Sequence, residues 1–526
     1  MQLLPGRRGE VGRRREYTHR YRRAILIRRN QSLRLSVKGS RPRRQVIAPR
    51  GQNRQSGFPL SEGRPWCNGP VTAVALFTRD LRVHDNPVLA AAAADGPVVP
   101  LFVLDDALVA RTPAGRRRFL QEALADLDAG LRRIGGRLVL RSGDVVAEVC
   151  RVVAETGATR VHVASDVTAY ARRRERRLGA ELVVSGAALH CHDQVHTVQA
   201  PGDLRPADRD HFSVFTPYWR RWAEAPLRAP AAVRRLTTPD VSSLPPLDPG
   251  TSDRAFPGGE TAGRKRAQRW LRDRVEDYDD IHDDLAADAT SHLSPYLHFG
   301  CLSATELVAR ARGDQAADHA ANHAADHAGT QAFIRQLCWR DFHHQVLAAR
   351  PDAAHTDLRS RGAWADDPGG LAAWAEGRTG LPIVDAGMRQ LAVEGWMHNR
   401  ARLITASFLS KSLGVDWRAG AAHFARHLLD ADVANNTLNW QWVAGTGMDT
   451  RPNRVLNPLR QATRYDPAGE YVRRYVPELA DLDDPAEVHR PWRLGTEELR
   501  RRGYPEPVVA VEGDKVASVR SATPLF

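Results

Sequence analysis

The sequence predicts an α/β region with a parallel sheet over residues 71–200, followed by a larger all-α region over residues 261–500. Short Val-rich runs, VTAVALF (Val71–Phe77), PVVPLFVLD (Pro97–Asp105), RLVLRSGD and TRVHVASD, alternate with helical stretches such as Arg116–Gly136. Strands separated by helices of that length form βαβ units, whose parallel strands are buried on both faces. Beyond about Arg264 the apolar spacing becomes i, i+3, i+4, in AFIRQLCWRDFHHQVLAAR, PIVDAGMRQLAVEG and NRARLITASFLSKSL. Residues 201–260, ending in PPLDPGTSDRAFPGG, read as a Pro- and Gly-rich surface connection, and residues 501–526 as a C-terminal tail.

Composition narrows the class. A chain of 526 residues with 42% apolar content is long enough for more than one core. Cys67, Cys150, Cys191, Cys301 and Cys338 are scattered with no CxxC pair. That spacing argues against a disulfide framework or zinc ribbon and fits a reducing, cytoplasmic setting. No run of 18 apolar residues suggests a membrane span. Residues 1–70 hold seventeen Arg and one Lys against three Glu, which exceeds the whole net charge of +14. The remainder is near neutral, so nucleic-acid binding by the body must rest on local patches. The tail reads as a disordered phosphate-binding arm, a targeting peptide, or the product of an upstream translation start.

The repeat DQAADHAANHAADHAG sets His319, His323 and His327 at i, i+4, i+8, with Asp318 and Asp326 nearby. On a helix that spacing could hold a metal. Its Ala-rich low complexity favours a solvated linker, and no metal is expected.

Three segments carry chemistry. LFTRDLRVHDNPVLAAA (Leu76–Ala93) follows the first strand; Asp85 or Asn86 can cap a helix opening at Pro87. It contains no Gly-rich dinucleotide fingerprint. In ATSHLSPYLHFGCLSATEL (Ala289–Leu307), Thr290, Ser291 and Ser294 stand before a helix, where hydroxyls and free N–H groups either bind phosphate or cap. In LLDADVANNTLNWQWVAGTGMD (Leu428–Asp449), Asp430 and Asp432 can accept N–H and O–H groups, Arg402 can pair with Asp430, and Asn436 offers a neutral amide. Ten of the twelve Trp lie between Trp222 and Trp492, which points the chemistry to the helical region. There Trp339, Arg340, Asn399, Arg400 and Arg402 interleave bases with aromatics, as suits phosphate anchoring and stacking of an unpaired base.

Across residues 71–500 these motifs resemble the photolyase and cryptochrome family, and within it the bacterial class I type that repairs cyclobutane pyrimidine dimers. The resemblance implies a Rossmann-like antenna domain and an all-α FAD-binding domain. The family's T-S-x-L-S loop, here Thr290, Ser291, His292, Leu293 and Ser294, wraps the FAD pyrophosphate, with Tyr278 twelve residues upstream. Asp430, Ala431 and Asp432 would line the isoalloxazine, and Asn436 would face N5, where Asn fits repair enzymes better than plant-type sensors. Trp440, Trp417 and Trp364 match an electron relay from flavin to surface. Trp339 and Trp442 match the walls around the dimer, while Asn399, Arg400 and Gln461 match DNA contacts.

Several positions depart from the family. His292 stands where Arg is usual, which makes phosphate binding weaker or more pH-dependent. Gln336 replaces a Glu that bonds the thymine edge; Gln still donates and accepts, but without charge. Leu403 replaces a Met, a swap of similar volume. The two histidines needed for (6-4) photoproducts are absent, at Asn399 and Leu403. Ala171 stands where folate-binding members carry Glu, and the adjoining YARRRER run resembles deazaflavin binders. A deazaflavin antenna is therefore expected over methenyltetrahydrofolate. The expectation is a monomeric enzyme that repairs dimers in damaged DNA by light-driven electron transfer from reduced FAD. The alternative is a cryptochrome-type photoreceptor.

Overall fold

A computed structural model describes residues 71–245, 255–313 and 328–517. The basic tail, residues 246–254 of the connection, the repeat carrying His319, His323 and His327, and residues 518–526 lie outside the described residues.

The Val-rich runs form β1 (Ala73–Phe77), β2 (Val98–Leu104), β3 (Val139–Ser142), β4 (Arg160–Ala164) and β5 (Ala188–His192). They pair in the order β3-β2-β1-β4-β5, all parallel. Central β1 is buried throughout, so its sequence is continuously apolar rather than alternating. The crossovers are made by α1 (Pro87–Asp95), α2 (Ala114–Arg133), α3 (Val145–Thr156) and α4 (Ala169–Val184). Asn86, not Asp85, caps α1: its side-chain oxygen accepts from the N–H groups of Val88 and Leu89, and Pro87 opens the helix.

The expected connection over 201–260 contains α5 (Phe215–Glu224), which the surrounding prolines obscured. Phe215, Tyr218 and Trp222 recur on one face of this helix and are buried. The helical region positions the site with α6 (Ala328–Ala349), α7 (Asn399–Ser407), α8 (Trp417–His427), α9 (Val433–Ala444) and α10 (Pro458–Tyr465). The segment read as a tail continues a helix to Arg502 and then forms an antiparallel hairpin, Val511–Glu512 with Lys515–Val516. Two-residue strands leave no periodicity to read.

The RDLR loop after β1 fastens the sheet to the helices. Asp80 is fully buried and accepts from the Thr78 N–H at 2.8 Å. The buried Arg82 guanidinium donates to the carbonyls of Asp85, Val195 and Gly300, at 3.0–3.2 Å. Asp85, at φ 50°, accepts from Arg228, from the Ser303 hydroxyl and from the Ala231 N–H. Gly300 sits at φ 65°, and a Cβ there would collide with the carbonyl of Arg79. Gly300→Ala should therefore lower stability by about 3 kcal/mol, combining strain and overpacking. A drop in the urea midpoint at unchanged slope checks this.

Candidate functional site

Two of the three motif segments, Ala289–Leu307 and Leu428–Asp449, meet at one cavity of about 440 Å³. Its floor is the loop Thr290–Ser294 leading into the short helix Ser294–His298; its walls come from α6, the start of α7, and Asp430 and Asp432 at the head of α9. No side chain caps that short helix, so its first N–H groups stay available. The Thr290 hydroxyl and His298 Nδ1 are buried on this wall without a hydrogen-bond partner. Buried polar groups rarely go unsatisfied, so such orphans mark the place of a polar ligand. Tyr278, Ser291, Leu293 and Ser294 line the same wall. His292 also lines it at φ 52°, but its ring is tied down: it stacks on Trp396 at 4.1 Å and its Nε2 lies 2.8 Å from Asp288.

Two carboxylates face the cavity from the start of α9. Arg402 binds Asp430 through two bonds of 3.1 and 2.8 Å. Asp432 caps α9 by accepting from the Asn435 N–H at 2.9 Å, and Arg79 donates to its other oxygen at 2.8 Å. Arg79 also binds Asp166, at 2.9 Å. Burial alone would raise both carboxyls, but the Arg402 guanidinium holds Asp430 below its ordinary range. His344 and Arg79 hold Asp432 well below it in the same way.

At the mouth stand Gln336, Trp339, Asn399, Arg400 and Trp442. Phe215 covers the outer face of Trp339, 3.6 Å between ring centroids and 3° between planes. The Arg454 guanidinium lies 5.4 Å from the ring of Trp442. Arg400 binds Asp283 at 3.0 Å and stands 4.3 Å from the Tyr465 ring.

A chain of this design has known relatives. It is 54% identical, over 83% of its length and 96% of the relative's, to a deoxyribodipyrimidine photo-lyase of Streptomyces griseus. The chain belongs to the photolyase and cryptochrome family. Residues 73–235 match DNA photolyase, and residues 333–522 match the FAD binding domain of DNA photolyase. A class III photolyase structure from Agrobacterium tumefaciens superposes with a TM-score of 0.75 at 32% identity, over 85% of this chain and 96% of that one. A cryptochrome from Synechocystis gives 0.76 at 30% identity, over 84% and 97%. The orphan groups, the free N–H groups and the paired acids suit FAD, which offers phosphates, hydroxyls and ring N–H groups to match them.

Not every family position meets the cavity in the way expected. Arg340 lines it, but from a buried position, with its guanidinium donating to the carbonyls of His196 and Leu297. Successive helical residues point about 100° apart, so where Trp339 faces the mouth Arg340 turns inward. Gln461, half-buried on α10, does not line the cavity. Ala431 packs against the core rather than the cavity wall. Asn436 and Trp440 line an adjoining void of about 80 Å³ that shares Asp430 and Arg402 with the cavity. Trp417 is buried, its Nε1 donating to Asp357 at 2.8 Å, and Trp364 is half-buried under Arg361. The ring neighbours of Trp440 are Phe424 at 5.0 Å and Trp374 at 5.9 Å, not Trp417. Trp440 instead packs on Gly420, where a Cβ would strike its ring, three residues along α8 from Trp417.

The sequence reading passed over Asn435, Asn439 and His343, which all line the cavity. The signal was present: Asp432, Asn435, Asn439 and Trp442 recur at helical spacing. His343 lies 2.9 Å from the Asn435 amide oxygen, and burial pushes it down to about 4. Burial likewise lowers His298 to about 3 and His398 to about 4. Unfolded histidine titrates near 6.5, so as pH falls below that the unfolded chain takes up protons that these three refuse. Asp466, raised by burial to about 6, works in the opposite direction, as do the buried Asp80, Asp341 and Asp385. His162, His196, His423 and His489 are lowered by burial too and side with the three. The melting temperature should thus drop by several degrees as pH falls from 6.5 towards 4. His343→Gln should remove part of that slope in thermal melts across the range.

Proposed function

We propose that this chain is a light-dependent DNA-repair lyase that splits cyclobutane pyrimidine dimers, with FAD as cofactor. One observation carries the reading: the aromatic mouth of Trp339 and Trp442 and the wall of Thr290, Asp430 and Asp432 belong to a single cavity. A flipped base and a flavin would therefore share one enclosure.

Thr290, Ser291, His292, Leu293 and Ser294, with Tyr278, hold the pyrophosphate end. Asp430 and Asp432, kept ionised by Arg402 and Arg79, would accept N–H and hydroxyl groups of the flavin, and Asn436 in the adjoining void would offer it a neutral amide. When bound and reduced, FAD supplies an electron on absorbing blue or near-UV light. Trp339 and Trp442 sandwich the flipped dimer, and Gln336 bonds its edge. Photolyases are among the enzymes that extrude their target base, at a modest cost for a damaged pair. The reaction would break the two carbon–carbon bonds that join the pyrimidines of the cyclobutane ring, with no net redox change. Asn399, Arg400 and Gln461 hold the DNA. Trp440, Trp417 and Trp364 offer oxidisable indoles ordered from cavity to surface. For the antenna, Ala171 is buried at the start of α4 and offers no carboxylate to a pterin, which supports a deazaflavin.

Illuminating the purified protein, flavin reduced, with an oligonucleotide carrying one thymine dimer should restore the thymines; unchanged dimers would leave a cryptochrome-type sensor as the reading. Gln336→Glu should raise the repair yield by about twofold, as a charge-assisted bond replaces a neutral one. An equal or lower yield would overturn the role given to Gln336.

A further inference from the structure

The aromatic wall does not end at the cavity. Behind Trp339 lies Phe215, and one turn further along α5 lies Trp219. One turn back along α6 from Trp339 stands Arg335, its guanidinium 5.1 Å from the Phe215 ring and 5.8 Å from the Trp219 ring. Trp219 is backed in turn by buried Trp222, 5.6 Å between centroids. Trp339, Phe215, Arg335 and Trp219 thus form an unbroken series from the mouth to the outer surface, where Arg220 is exposed beside them. Arg335 is exposed and meets no carboxylate among the described residues.

Exposed cations interleaved with aromatic rings are the means by which proteins hold single-stranded nucleic acid: rings stack the bases and guanidiniums meet the phosphates. At 5.8 Å Arg335 is near the outer limit of about 6 Å for attraction to the Trp219 ring, so it can turn to a phosphate and yield the indole to a base. Trp219 stands one helical turn, about 5.4 Å, beyond Phe215, whose ring lies 3.6 Å from that of Trp339, which sets Trp219 within reach of a nucleotide flanking one held at Trp339.

We propose that Trp219 and Arg335 form a track for the strand flanking the lesion, the base of a neighbouring nucleotide stacking on Trp219 and its phosphate meeting Arg335. This rests on the repair reading and extends it by naming where the flanking strand runs.

The test compares two substrates on the flavin-loaded protein: a single-stranded oligonucleotide with one central thymine dimer, and the isolated dinucleotide photodimer, which has no flank. Trp219→Ala and the exposed-site variant Arg335→Gln should each weaken binding of the oligonucleotide by about tenfold, the loss of roughly one stacked base or phosphate contact. Repair of the dinucleotide should be unchanged. Arg335→Gln should also reduce the slope of log affinity against log salt by about 0.7. Oligonucleotide binding that is unaltered in both variants, or equal losses on both substrates, would overturn the track. Failure of the unaltered protein to repair the dinucleotide would instead overturn the repair reading beneath it.

Discussion

The arrangement depends on one buried guanidinium. Arg79, in the loop after the central strand, is shared between Asp166 at the end of the sheet and Asp432 at the head of α9, at 2.9 and 2.8 Å. Without it two buried carboxylates would face each other across the junction of sheet and helices. Leaving such charges uncompensated costs about 3–5 kcal/mol, well above the worth of a surface ion pair. Asp432 lines the large cavity, whereas Asp166 lines a separate one of about 220 Å³ at the ends of β4 and β5. Arg79 therefore links the linings of the two cavities electrostatically as well as mechanically. Gly300 reinforces the joint from the helical side, because only a residue without Cβ lets the carbonyl of Arg79 approach so closely.

What the sequence disclosed follows from the range of the interactions involved. The parallel sheet was legible because continuous Val-rich runs separated by helices allow few alternatives. A cap ahead of Pro87 was legible because capping is settled within three residues, but the choice of Asn86 over Asp85 needed the fold, which turns Asp85 towards Arg228 and Ser303. The acidic pair and the Thr290 loop were legible as motifs, and Arg402 opposite Asp430 as complementary charge. The partnership of Arg79 with Asp432 spans 353 residues, and no local pattern could announce it. The burial of Arg340 was hidden for a different reason. Basic residues beside aromatics suggest DNA, but adjacent positions on a helix face different ways, and the guanidinium was needed inside to satisfy two carbonyls. The helix Phe215–Glu224 went unnoticed because its flanking prolines outweighed ten residues of good amphipathic spacing.

The indoles divide into two groups by what supports them. Trp339 and Trp442 each have one face covered, by Phe215 and by Arg454, and both line the cavity mouth. Rings braced in this way lose little freedom when a base stacks on them, so more of the stacking energy remains for binding. Trp440 and Trp417 are enclosed in the helical core, with Trp440 against the backbone of α8 at Gly420. Packing of that kind fixes each indole in place, whereas Trp339 and Trp442 keep a face towards the cavity.

The two acids make a further point about charge in a closed cavity. Asp430 and Asp432 are buried, yet each is paired with an arginine, Arg402 in the cavity lining itself and Arg79 outside it. A carboxylate offers about four acceptor positions, and a bidentate arginine uses only some of them. Each acid can therefore remain ionised through its arginine and still accept hydrogen bonds from a ligand. Replacing either arginine by an apolar residue would raise the acid's pKa through desolvation and turn an acceptor into a donor at neutral pH. The arginines thus keep the inner wall an acceptor surface, and that polarity, more than the cavity's volume, selects a ligand rich in N–H and O–H groups.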